Sequence, residues 1–270
     1  MTETEKSRWF RQVSKSITAR CLDAGANLQW LQEQMHTYLS VTMHDEAEAI
    51  GSLAIQLPYL KRNKRLVLRD TDKTLILARL NQPGSLYQTL RLLREREISY
   101  AQFTHSYAPV PGLGEELELQ RFEFDRRTAE EINDAGEQRI PLRLQREVKS
   151  AIKEHYPKYD FSRFDKEIRL LWINNQSYVR FSPARRVAQI LWLYQQAVQS
   201  GGIYFDAEPA IELQGEPEYR ILFAAGNPPQ LDFLEQTMEV YKRLGLGIKR
   251  AYLLTIHNGL HTYFLGTFYL

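Results

Sequence analysis

The sequence predicts an α+β protein made of two ferredoxin-like β-α-β-β modules, with a helical N-terminal segment and a helical insertion. Three observations predict it. In the stretch 219–270 an apolar run (Ile221 to Ala225) stops at Gly226-Asn227-Pro228-Pro229. A segment with Leu231, Leu234, Met238 and Tyr241 at helical spacing follows, and then two strand-like runs, Ile248–Ile256 and His261–Leu270. The same strand, helix, strand, strand order occurs earlier: Lys73–Leu80, a helix carrying Leu86, Leu90 and Leu93, then Ile98–Tyr107 and Leu117–Phe124. The repeat is one of pattern, since side-chain identity between the copies is slight. Third, residues 1–70, for the most part, and 126–182 carry helical periodicity. Each β-α-β-β unit is the first four parts of a ferredoxin-like domain.

In the N-terminal segment, Phe10, Val13, Ile17 and Cys21 share a helical face, and Gly25 is expected to end that helix. Asn27 is placed to cap a second, with Leu28, Leu31, Met35 and Tyr38 buried. Ile50, Leu53, Ala54 and Leu57 mark a third, ended by Pro58. The basic run Lys61 to Arg65 reads as a solvated loop, and Arg65–Arg69 as a short strand. The first module spans 71–206, with 126–182 inserted into it. There the 183–206 stretch, a helix ended by Gly201-Gly202 and followed by Ile203-Tyr204-Phe205, supplies the missing helix and last strand. Residues 207–218 read as a linker. The second module, 219–270, is expected to be truncated before its last helix and strand, so the chain is expected to continue. Asn258-Gly259 suits a two-residue type I′ hairpin turn. Without a fourth strand, Arg220–Ala225 lies at a sheet edge, which is expected to be covered. Either Ile203–Phe205 or a strand from a second chain would cover it, and the first option competes with giving that strand to the first module.

At 270 residues the chain can bury a large core, and 43% hydrophobic with 25% charged residues is ordinary for a globular protein. A net charge of +2 gives no electrostatic case for nucleic acid or an anionic membrane. The one cysteine, Cys21, excludes an intramolecular disulfide. The first residues lack the apolar region of a signal peptide, and no apolar run reaches the roughly eighteen residues of a membrane span. Cytoplasm is the expected location.

Few motifs carry chemistry. The turn Asn81-Gln82-Pro83-Gly84-Ser85 ahead of Leu86 resembles the Asp/Asn-x-Pro-Gly-x-Leu turn of ACT domains, which bind amino acids in regulatory proteins. A glycine lets a ligand approach the backbone, and free amides at a helix start attract a carboxylate. A plain helix start is the alternative, since asparagine and proline favour that position. For Asn227-Pro228-Pro229-Gln230 the capping-box spacing favours the plain reading. Arg185-Arg186, in the first turn of a helix where the dipole disfavours positive charge, can hold a phosphate or carboxylate, or pair with the protein's own acids. Gly245-Leu246-Gly247 fails as a dinucleotide fingerprint because Arg250 holds the third glycine position and a strand follows. His257 and His261 read as surface hairpin residues ahead of a metal pair. The aromatic strand His261 to Gly266 lacks the basic-Gly-aromatic sequence an RNA-binding module needs. No catalytic constellation and no resident cofactor or metal site is visible.

Ala224-Ala225-Gly226-Asn227-Pro228-Pro229, Arg250 to Ile256 and Tyr263 to Tyr269, with Arg185-Arg186-Val187-Ala188 and Gly202-Ile203-Tyr204, resemble one family. It is the N-terminal, non-catalytic, ACT-like region of the large NAD-dependent glutamate dehydrogenases. The resemblance implies a parent that oxidatively deaminates glutamate or a related amino acid with NAD, and a role here in regulation and assembly. Implied partners are the catalytic part of the same parent chain, further copies in a homo-oligomer, and a small amino-acid effector. The family's Lys-Gly-Gly sequence and nucleotide fingerprint have no counterpart in these residues. The rival reading is a stand-alone ACT-like sensor or scaffold.

Overall fold

The structure, a computed structural model, describes residues 24–35, 43, 46–124, 140–211, 217–227 and 233–270. It is a mixed α+β fold with one eight-stranded antiparallel sheet and helices on both faces. In chain order the helices α1 (Ala24–Gln34), α2 (Ala47–Gln56) and α3 (Leu60–Asn63) lead into β1 (Arg65–Asp70), β2 (Thr74–Leu80), α4 (Ser85–Leu92), β3 (Tyr100–Pro109) and β4 (Glu116–Glu123). Helices α5 (Leu142–His155), α6 (Phe164–Asn174), α7 (Gln176–Phe181) and α8 (Ala184–Ser200) follow. The chain closes with β5 (Ile203–Ile211), β6 (Pro217–Gly226), α9 (Phe233–Arg243), β7 (Arg250–His257) and β8 (Thr262–Tyr269). The strand order is β1-β2-β4-β3-β7-β8-β6-β5.

Strand alternation assigns each side chain to a face. Ile76, Ala78, Leu117 and Leu119 point to a core shared with α1 and α2. Their neighbours Leu75, Leu77, Phe103 and Phe122 point the other way, to α4. In the second half Leu222, Ala224, Leu254 and Leu265 pack on α5, α6 and α8, while Ile221, Phe223, Leu253 and Phe268 meet α9. A sheet buried on both faces has no polar side, and this explains the near-continuous apolar reading of β2, β6 and β7. The second-half core also takes Tyr100 from β3, and the α4–α9 core draws on both halves, so the eight strands share their interior.

The halves meet through β3 and β7, with Tyr100 opposite Leu254, Gln102 opposite Tyr252 and Thr104 opposite Arg250. Outer bonds run from the His105 N–H to the Lys249 carbonyl (3.2 Å) and from the Thr255 N–H to the Ser99 carbonyl (2.9 Å). Exchanging Tyr100 with Arg250 and Thr104 with Leu254 maps this pairing onto itself, so a pseudo-twofold axis passes through Gln102 and Tyr252. Helices α4 and α9 lie antiparallel beside the same axis. Arg94 grips Glu235 with two bonds (3.0 and 2.8 Å), and the Lys242 ammonium lies 5.0 Å from the Tyr87 ring centre.

Several expectations are corrected. The strand 203–205 does not complete the first module: it opens β5, which pairs with β6 from Ile203–Ala225 through Glu208–Arg220 to Ile211–Pro217. The place beside β2 is already taken by β1, and β5 and β6 are consecutive strands, which pair antiparallel at least topological cost. The edge of Arg220–Ala225 is therefore covered from within the chain. The expected linker 207–218 is mostly strand. In each half the extra helix and edge strand precede the β-α-β-β run, and α2 and α8 lie on the face opposite α4 and α9. Gly25 and Asn27 fall inside α1, where the Asn27 amide donates to the Ala54 carbonyl (2.8 Å) and caps nothing. The β7–β8 turn is centred on Gly259-Leu260, closed by the Asn258 N–H to the His261 carbonyl (3.1 Å). Of its two central residues Gly259 alone has positive φ (92°), which a type I′ turn does not allow. The predicted helix through Phe10–Cys21, Tyr38, and the capping residues Pro228 to Gln230 lie outside the described residues.

Candidate functional site

The turn singled out in the sequence does place its residues together. Gly84 adopts a left-handed conformation (φ 76°) at the N-terminus of α4, the kind of position glycine occupies without strain. Beneath it, on the α4 side of the sheet, the strands carry polar groups. Ser85 donates its hydroxyl to Glu118, and Gln120 donates its amide to the same carboxylate. Asn81 donates to Glu116 (3.0 Å). The imidazole of His105 stands between the two acids, Nδ1 3.6 Å from Glu116 and Nε2 3.5 Å from Glu118. Glu118 and Gln120 are fully buried, whereas Glu116 is at the rim.

The second half supplies the lid. A Cβ built on Gly84 would stand 2.8 Å from Cδ of Lys242, so the aliphatic stem of this α9 lysine crosses the turn. The partners sheet register assigns to Glu118, Gln120 and Phe122 in the second half are Phe264, Gly266 and Phe268. The polar nest is thus a feature of the first half alone.

This arrangement changes the chemistry expected of the turn. A bare helix start favours a carboxylate, yet here the Ser85 and Asn81 side chains are spent on two protein carboxylates. At the rim stands the Glu116 carboxylate, and across the turn lies the Lys242 stem from α9. Replacing Gly84 by valine should lower stability by about 1–3 kcal/mol. A β-branched residue is forced into positive φ and against Lys242. Urea denaturation checks this, and a loss below a few tenths would mean that the turn relaxes freely.

Arg185 and Arg186 separate. Arg185 is exposed at the start of α8, and the Arg186 guanidinium lies 3.6 Å from the centre of the Tyr252 ring and 5.7 Å from that of Tyr269. Arg186 acts as a stacking cation on the sheet. Around the same two tyrosines sits a group the sequence reading missed. Arg250 is buried (5% exposed), donates to Glu218 (2.6 Å), and lies 4.4 Å from the Tyr269 ring centre. Arg220, alongside, pairs with Glu208. Burial is the main cause that pushes the Tyr178 hydroxyl next to Arg186 well above its usual range. Burial does the same to Tyr100, with neighbouring Tyr178 and Tyr252 adding to it. No local signal marked it: Glu218 and Arg220 flank Tyr219 on β6 and Arg250 follows Lys249, patterns that by themselves read as a solvated strand face.

Asn227 has positive φ (48°) and bonds the hairpin, its Nδ2 2.8 Å from His261 Nδ1 and its Oδ1 accepting from the Thr262 N–H (3.0 Å). His257 contacts Thr262 (2.8 Å) instead of His261. Among the described residues no group of three or more His, Cys, Asp or Glu is placed to hold a metal, and no helix is long and apolar enough to cross a membrane. No protein-family model matches this chain, and no curated protein matches it.

Proposed function

We propose that this chain is a regulatory and assembly region, two ACT-like modules side by side, belonging to an NAD-dependent glutamate dehydrogenase, and that it senses an amino acid at the Asn81–Ser85 turn. The observation that carries the reading is the turn itself: a left-handed Gly84 at a helix start, roofed by Lys242 from the other half. A ligand wedged there touches both halves, so binding is coupled to how α4 and α9 sit on each other. An amino-acid zwitterion fits the charges, with its ammonium toward Glu116 and its carboxylate toward Lys242. The strand order supports the ACT-like part. In each half the helix-flanked strand lies between the edge strand and the hairpin, although the edge strand comes first in the chain.

The reading is tested by calorimetry of the common amino acids against this chain and its Glu116→Gln and Lys242→Ala variants. A binder weakened about tenfold or more by each variant is expected. No binder, or one indifferent to both changes, overturns the sensor. The enzymatic part is tested separately by the downstream reading frame, expected to encode a Lys-Gly-Gly site and a nucleotide-binding fingerprint. By itself the chain is expected not to reduce NAD with glutamate.

A further inference from the structure

The two edges of the sheet are built differently. β1 has six residues, four of them exposed, and its register with β2 shifts between Val67 and Arg69. A short, charged, irregular edge resists pairing. β5 has nine residues and pairs with β6 without a break in register. Ile203 and Phe205 are 68% and 59% exposed, and Tyr219, farther along β6 opposite Pro209, is 63% exposed. Phe205 lies opposite Phe223, whose ring stacks on Phe233 of α9, so this apolar strip is on the α9 face just beyond the helix.

The direction of the free backbone groups follows from one bond. The Gly226 N–H donates to the Gly202 carbonyl (2.8 Å), which makes 202–226 a hydrogen-bonded pair. Antiparallel alternation then turns 204, 206 and 208 toward β6, and Ile203, Phe205, Ala207 and Pro209 outward. Proline has no N–H to offer, so the usable outward edge stops at Ala207.

We infer that β5 is a docking edge for a second copy of this chain, pairing antiparallel with its own β5 across a twofold axis at Phe205. In that register Phe205 meets Phe205 of the second copy, and Ile203 meets Ala207, all on the apolar face. On the other face Tyr204 comes opposite Asp206, and Gly202 opposite Glu208. Neither acid meets an acid, and the Tyr204 hydroxyl faces a carboxylate that can accept from it. Shifting the register toward the C-terminus brings Pro209 into the ladder and loses a bond. In the single chain the Ala207 N–H is satisfied by the Asp206 carboxylate (2.8 Å), a bond the second copy's Ile203 carbonyl replaces. The inference concerns self-association and does not depend on the sensor reading.

Sedimentation of the full chain from low to high micromolar is expected to show a concentration-dependent dimer. Phe205→Lys and Ala207→Pro, both at exposed edge positions, should each weaken it about tenfold or more while leaving the melting temperature nearly unchanged. Register is read by cross-linking. In a Cys21→Ser background, Phe205→Cys should form a disulfide-linked dimer on oxidation. Paired positions of this kind stand about 5.5 Å apart between Cα atoms, within disulfide reach. Ile203→Cys should not link to itself. A monomer at every concentration, a dimer indifferent to both edge variants, or linking through Ile203→Cys in place of Phe205→Cys would each overturn the inference.

Discussion

Arg250→Ala is expected to destabilise the chain by about 3–5 kcal/mol, the cost of breaking a buried ion pair from one side. The Glu218 side chain is fully buried and the Arg250 side chain only 6% exposed, at 2.6 Å from each other. Arg250 also sits opposite Thr104 of β3, so its loss is felt at the seam between the halves. The double change Arg250→Met with Glu218→Leu should recover most of the stability, because both charges then leave the interior together. Urea denaturation of the two variants decides the matter. If the double variant is as unstable as Arg250→Ala, the cost lies in packing on Tyr269 and not in the loss of the ion pair.

Phe268→Ala should cost a similar amount, about 3–5 kcal/mol, by a different mechanism. Its side chain is among the largest that are completely buried, and its ring stacks on Tyr241 of α9 with centres 5.2 Å apart. Truncation removes apolar area and leaves a cavity that neighbours fill only partly. Gly266 next to it is part of the same fit: a Cβ there would stand 2.9 Å from the Phe268 ring and 3.0 Å from Leu253. Phe268→Leu should recover about half of the loss, since most of the buried volume returns. Thermal and urea unfolding of the three proteins measure the order, and an alanine variant within 1 kcal/mol of the parent chain would show, against the expected cost of such a cavity, that α9 settles onto the sheet.

How far the sequence could be read depends on the range of the forces involved. The two strand–helix–strand–strand runs were legible because alternation and helical spacing are local patterns, and β2, α4, β6 and α9 lie near where those patterns place them. The turn at Pro83-Gly84 was legible for the same reason, since proline and glycine between a strand and a helix are a local signal. The owner of Ile203–Phe205 was not legible. Its apolar residues suit either half, and the choice fell to β6 because β1 had already filled the other place. The turn at Asn258-Gly259 shows the limit at shorter range. Its residues allow two alignments one residue apart, and the pairing of His257 with Thr262 selects the one centred on Gly259-Leu260.

The candidate site divides along the same line. Asn81, Gly84 and Ser85 stood out from their own stretch of chain, but Glu118, His105 and Lys242 did not. A carboxylate on a strand carries no mark of the helix start it will meet, and Lys242 reaches the turn only because α4 and α9 lie antiparallel. Arg186 marks the opposite case, a motif visible in sequence whose partner, the Tyr252 ring, is set by the fold. By itself the sequence determined the elements, their order and the glycine-bearing turn, because these rest on contacts a few residues apart. The tertiary structure alone decided that the two runs share one sheet, which strands form its two edges, and which charges face each other in its interior. Pairing of distant strands depends on competition among all the edges in the chain, which no local stretch encodes.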